Sequence, residues 1–141
     1  MHALCELSQR YAPLLGRFLI TFIFFRSAFG KITNFSGVAG NMAAKGMPYA
    51  EFFLVGAIAF EIVGSLCVLL GWKARWGALA LLIFLVPATL IFHNFWSIDP
   101  VQVREMSNQT NHFFKNLTIM GALVFIIGVG PGPLSLSGTK G

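Results

Sequence analysis

Four long apolar stretches alternate with polar connections that carry Gly, Pro and Asn. Their lengths decide what they are. The runs at about residues 13–32 (PLLGRFLITFIFFRSAFGKI), 52–70 (FFLVGAIAFEIVGSLCVLL), 77–96 (GALALLIFLVPATLIFHNFW) and 112–129 (HFFKNLTIMGALVFIIGV) are each close to the ~20 residues that cross a hydrocarbon core as a helix. The pattern predicts an all-α, polytopic membrane protein, an antiparallel bundle of four transmembrane helices forming one domain over residues 1–141.

The connections refine this picture. Residues 33–50 (TNFSGVAGNMAAKGMPYA) break the transmembrane pattern, and VAGNMAAKGM within them is expected to form a short interfacial helix. The turn GWKAR is only long enough for a tight hairpin, and Trp72 and Trp76 beside its cations match the aromatic and basic belt of a membrane interface. Pro87 is expected to kink the third span. The segment SIDPVQVREMSNQTN reads as a polar loop before a short fourth span, and the tail GPGPLSLSGTKG cannot continue a helix. No cleavable leader is evident, because Arg17 and Arg26 interrupt the first apolar run.

Composition agrees with a lipid environment. Only 11% of the residues are charged, against about 25% in soluble domains, so the polar surface that water would require is missing. The net charge of +5 comes from ten Lys and Arg scattered singly, which excludes a nucleic-acid surface and suits helix anchoring at lipid headgroups. Four spans bring Arg10, Arg17, Lys73, Arg75 and Lys140 to the terminal face, and Lys31, Lys45, Arg104 and Lys115 to the other. The dense KAR turn places both termini in the cytoplasm by the positive-inside rule. Cys5 and Cys67 fit no metal, haem or redox-pair spacing.

Antiparallel threading gathers the ionisable residues of the spans. Arg26 lies roughly 9 Å, and Glu61 roughly 14 Å, from the non-terminal face by helical rise. His93 with Asn94, and Lys115 with Asn116, start from that same face, so all six fall in one half of the bundle. Ala57, Glu61, Gly64, Val68 and Gly71 share one helical stripe, whose small residues allow a neighbouring helix to approach, so Glu61 is expected to face protein. Arg26 is its expected partner, and it snorkels to the interface if unpaired. Glu61 and His93 are the candidate proton-handling groups; Arg26, Asn94, Lys115 and Asn116 are candidate ligand contacts. A metal centre lacks a sufficient ligand set.

The segments LGRFLITFIFFRSAFGKI, GMPYAEFF, FEIVGSLCVLLGWKARWGALAL, FHNFW and GVGPGPLSLSG together resemble the DoxX family of four-helix bacterial membrane proteins. The resemblance runs from about residue 15 to 137. Its most specific element is Glu61 followed by Gly64, Gly71 and Arg75, with Gly130, Gly132 and Ser135 approximating the family's terminal element. It implies an inner-membrane bundle with Arg26, Lys31, Glu61, Arg75 and His93 as the positions to watch, Gly64, Gly71 and Arg75 having structural roles. Some relatives are linked to quinone- or thiol-handling oxidoreductase systems.

Three functions are therefore open. The first is a component of a quinone-linked oxidoreductase; no flavin, haem or metal motif is present, so electrons must come from a soluble or membrane redox partner. The second is a non-catalytic scaffold that recruits soluble redox enzymes. The third is a small transporter subunit, which needs a homo-oligomer because four helices are thin for a pathway and no internal repeat is present.

Overall fold

A computed structural model describes residues 2–137. Five helices follow in order: α1 (His2–Thr33), α2 (Phe35–Ala44), α3 (Ala50–Leu70), α4 (Ala74–Phe92) and α5 (Val103–Val129), with a 3₁₀ turn at Phe95–Ser97. Four of them, all but α2, are long and apolar enough to cross a membrane. Lys140 lies outside the described residues.

The apolar pattern locates the spans well and their ends less well. α1 begins about three turns before Pro13, which it contains. Leu4, Leu7, Tyr11, Leu15, Phe18 and Phe22 are all exposed at helical spacing, so a single lipid-facing stripe runs through the proline and carries the helix outward. At 32 residues α1 is about 48 Å long, more than a bilayer core requires, so it tilts or projects on the terminal side. The segment read as a polar loop before the fourth span is instead the first turns of α5. There Met106, Gln109, Thr110 and Phe113 are half-buried at i, i+3, i+4 and i+7, a helical stripe hidden by its polar members. α4 runs unbroken through Pro87 and ends at Phe92, where Asn94 begins the 3₁₀ turn.

α1 packs on α3, α3 on α4, and α4 on α5, whereas α1 and α5 make no substantial contact. The main core lies among these four helices, around Phe24, Val68, Ala78, Leu81, Leu85 and Leu123. The short helix α2 turns back over the start of α3, burying Ala39 and Met42 against Ala50 and Leu54.

The closest approach of two helices is glycine on glycine. A Cβ on Gly64 would lie 3.1 Å from the Gly77 carbonyl oxygen, and one on Gly77 would lie 2.8 Å from the Gly64 carbonyl and 2.5 Å from Cys67 Cβ. In lipid, where apolar surface gains nothing by leaving its solvent, such backbone proximity is what holds helices together. Gly77→Ala should therefore force α3 and α4 apart and cost about 1–3 kcal/mol by overpacking. Gly121→Ala on α5, where a Cβ meets nothing within 4 Å, should be neutral or stabilising. Denaturation of both variants in mixed micelles checks the contrast.

Candidate functional site: a buried lysine–glutamate pair and two satellite networks

One face of α1 carries Arg17, Thr21, Phe24, Ala28 and Lys31, spaced by three or four residues. All but Lys31 are buried, and Lys31 is half-buried. This face meets the stripe of α3 that holds Glu61, Gly64, Ser65 and Val68, all buried. Glu61 is 1% exposed, so it is shielded from lipid as its stripe predicts.

Its partner is Lys31. The Lys31 ammonium donates to both carboxylate oxygens of Glu61 at 3.0 Å and to Ser27 Oγ at 2.5 Å, one turn back on α1. It also lies 5.6 Å from the centre of the Phe84 ring on α4. A lysine ammonium has three N–H bonds, and all of them are used here. The pair is asymmetric in access: the Lys31 side chain is 20% exposed and that of Glu61 2%. An unpaired carboxylate at this depth would cost several kcal/mol, and the ammonium offsets part of that cost.

Arg26, the partner expected from the threading, is exposed instead. It lies off the Arg17–Lys31 stripe, on a flank of α1 that no helix covers. Depth along the helix placed it level with Glu61; angular register turned it away, leaving the interfacial snorkelling role.

The other polar residues form two further groups between α4 and α5. In the interior, buried Asn116 donates through Nδ2 to Thr89 Oγ1 at 3.0 Å, and Thr89 donates to the Leu85 carbonyl at 2.7 Å. At the non-terminal membrane face, His93 follows α4 and stacks on His112 of α5, with ring centres 5.1 Å apart. Gln109 donates to Glu105 at 2.7 Å and turns its oxygen to His93 Nδ1, also at 2.7 Å, so His93 carries its proton on Nδ1. Lys115 contacts His112 Nδ1 at 3.0 Å, which makes that nitrogen the unprotonated one. Glu105, Gln109, His93 and His112 thus link the exposed start of α5 to the end of α4. Asn94 is half-buried at the start of the 3₁₀ turn, where its carbonyl accepts from Ser97. Among the described residues no three His, Cys, Asp or Glu side chains gather as metal ligands.

The terminal face holds a residue that sequence reasoning treated as a simple anchor. Arg17 is 2% exposed. The tail folds back over it: Leu136 N–H donates to the Leu70 carbonyl at 2.9 Å, Ser137 N–H to the Gly71 carbonyl at 3.3 Å, and Lys73 N–H to Ser137 Oγ at 3.2 Å. Arg17 Nη2 donates to the Leu134 carbonyl at 2.6 Å. Gly71 ends α3 at φ +68°, and a Cβ there would lie 2.1 Å from Arg17 Nη1 and 2.2 Å from Ser135 Cβ. Arg75 is exposed, with its guanidinium beside Gly130. The signal for Arg17 was its place on the same stripe as Thr21, Phe24, Ala28 and Lys31, which only one helix face can share.

The comparisons with known proteins bear on the same helices. The chain is 32% identical to the inner membrane protein YqjF of Escherichia coli over 87% of both chains. It is 28% identical to the inner membrane protein YphA of the same organism, over 87% of this chain and 86% of the relative. A Surfeit locus protein 4 homolog of Schizosaccharomyces pombe is 27% identical over 98% of this chain and 41% of its own length. No solved structure matches. The DoxX family model matches residues 12–94, from the first turns before Arg17 through Lys31 and Glu61 to the end of α4, and the chain belongs to the DoxX family.

Proposed function

We propose that this protein is the integral component of a quinone- or thiol-linked oxidoreductase system in the inner membrane, with the Lys31–Glu61 pair as its intramembrane polar site. The observation that carries this reading is a buried carboxylate held by a partly exposed ammonium inside an otherwise apolar bundle. Intramembrane ionisable groups are expensive and are most readily explained by a task. The relatives named as inner membrane proteins support the compartment, and Lys73 with Arg75 supports cytoplasmic termini.

In this reading the Lys31 ammonium orients a quinone carbonyl and Glu61 exchanges protons with it. Reduction of the quinone to quinol takes up an electron pair and the matching protons. The electrons come from a redox partner whose thiols are oxidised to a disulfide, since this chain carries no redox motif of its own. His93 and His112, at the membrane face, relay protons between solvent and the bundle. Asn94 and Lys115 are headgroup contacts at the membrane face, Arg26 anchors α1 at the interface, and Asn116 fixes α5 on α4 through Thr89.

One observation favours the scaffold reading: every donor of Lys31 is already used within the protein. A short-chain quinone analogue separates the two. Bound to the folded state at 100 times its Kd it should stabilise the protein in nanodiscs by about 2.7 kcal/mol. That gain should vanish in the Lys31→Met/Glu61→Leu double variant. An unchanged melting temperature in the wild type at saturating analogue removes the quinone site and leaves the scaffold.

A further inference from the structure

The short helix α2 roofs the end of the bundle that holds the lysine–glutamate pair. Its Phe35, Val38, Ala39 and Met42 stand at i, i+3, i+4 and i+7, one apolar face of a helix of 10 residues. That face meets Ala50, Leu54 and Ile58 of α3 and Phe92 of α4. Ile58 is about one turn from Glu61 along α3. Phe92 lies about 12 Å along α4 from Phe84, the ring beside the Lys31 ammonium. Lys31 itself stands in the last turn of α1, just before α2 begins. α2 thus covers the non-terminal end of the three helices that carry the pair. Leu54 beneath it is fully buried, and the Glu61 side chain keeps 2% exposure.

The roof is joined to the bundle by a backbone break at each end. Asn34 separates α1 from α2 with φ −125° and ψ 46°. At the other end Gly46 has φ +81°, and Tyr49, just before α3, has φ +52°. A left-handed backbone is costly for a residue with a side chain, and Tyr49 gains no burial in return, being 82% exposed. Strain of this kind gathers at switch regions, and hinges are loop positions that absorb a change in φ and ψ. The outer face of α2 carries Ser36, Gly37, Gly40, Asn41 and Ala44, all exposed and none large and apolar. α2 is therefore an amphipathic helix whose apolar face now rests on protein. The headgroup–acyl boundary beside it accepts the same face. Lifting α2 exchanges one apolar contact for another.

We propose that α2 is a hinged lid, turning about Asn34 and the Gly46–Tyr49 segment, which gates the passage of water and small polar molecules from the non-terminal face to the Glu61 carboxyl. The structure shows the closed state. Lys45, at the carboxyl end of α2, lies 5.8 Å from the centre of the Phe92 ring and latches that end to α4. The lid explains why the pair is asymmetric: the ammonium keeps some access while the carboxylate is shut away. It concerns access alone, so it does not rest on the quinone reading and holds equally if the pair only joins two helices.

The test is the rate at which a water-soluble carbodiimide consumes Glu61 in the full-length protein in detergent micelles, read by peptide mass spectrometry as an adduct or as an amide bond to Lys31. Exposed Glu51 is the internal reference. Ala39→Cys/Ala50→Cys, in a Cys5→Ser/Cys67→Ala background, ties α2 to the start of α3 where both alanines are buried in one cluster. Oxidation should slow the reaction of Glu61 relative to Glu51 at least fivefold, and reduction should restore it. Met42→Ser removes an apolar contact from the underside of α2 and should speed the reaction at least fivefold, which keeps the test decisive if the disulfide does not form. Dicyclohexylcarbodiimide reaches the pair through the apolar phase and should modify Glu61 equally in every form. Equal rates with the disulfide open and closed, no rise in Met42→Ser, or a parallel change with the apolar reagent would each overturn the lid.

Discussion

Gly71→Ala releases the carboxyl-terminal turn from the bundle and costs about 2–4 kcal/mol of stability. Two effects add. A left-handed backbone costs an L-residue about 1 kcal/mol, and Gly71 sits at φ +68°. The new methyl also collides with Arg17 Nη1 and with both Cα and Cβ of Ser135, at 2.1–2.8 Å, and overpacking of that kind adds about 1–3 kcal/mol. Gly46→Ala separates the two, because Gly46 has φ +81° with nothing within 4 Å of its Cβ position. It should lose only the backbone part. Hydrogen exchange gives the local signature: the amides of Leu136 and Ser137, which donate to the end of α3, should lose protection in Gly71→Ala and keep it in Gly46→Ala.

Glu61→Leu should be the most damaging single substitution inside the membrane. It strands the Lys31 ammonium between Ser27 and the Phe84 ring, and removing one partner of a buried ion pair typically costs about 3–5 kcal/mol. Because the Lys31 side chain keeps 20% exposure and can lean toward water, the lower end of that range is expected. Adding Lys31→Met should return most of the loss, since an apolar pair of similar volume fills the same space without a desolvation cost. The double variant then separates the two roles of the pair. If it folds as the wild type does and still supports the quinone reduction proposed above, the pair is a strut. If it folds and that proposed activity fails, the pair acts on a ligand or a proton. Reversible unfolding in mixed micelles, run beside an assay of membrane quinone reduction, reads both.

The class of fold was legible because apolar length is a strong signal. All four spans lie where their hydropathy put them, and the stripe of Glu61, Gly64 and Val68 does face protein. Their ends were less legible. α1 continues outward and α5 starts nine residues earlier than residue 112, in both cases because an amphipathic turn with few apolar residues looks like a loop when judged by hydropathy alone. The polar centre was half legible. Glu61 stood out as the single charge in its span, but its partner was chosen by depth along α1, and depth does not say which way a side chain points. Five residues along a helix rotate the side chain by about 140°, which separates exposed Arg26 from Lys31. Lys31 itself came only from the family resemblance. Arg17 was missed although it shares the stripe of Thr21, Phe24, Ala28 and Lys31, because the tail that covers it lies more than a hundred residues away in sequence.

Coupling free energies from two double-mutant cycles test the central pairing most directly. One cycle joins Lys31→Met with Glu61→Gln, the other Arg26→Met with Glu61→Gln, all measured by reversible unfolding in the same mixed micelles. Residues in contact couple by about 0.5–3 kcal/mol, and separated ones add within about 0.5 kcal/mol. The geometry predicts a value near the top of the first range for Lys31 and additivity for Arg26. Strong coupling to Arg26 with none to Lys31 would contradict it, and would move the polar centre to the other flank of α1.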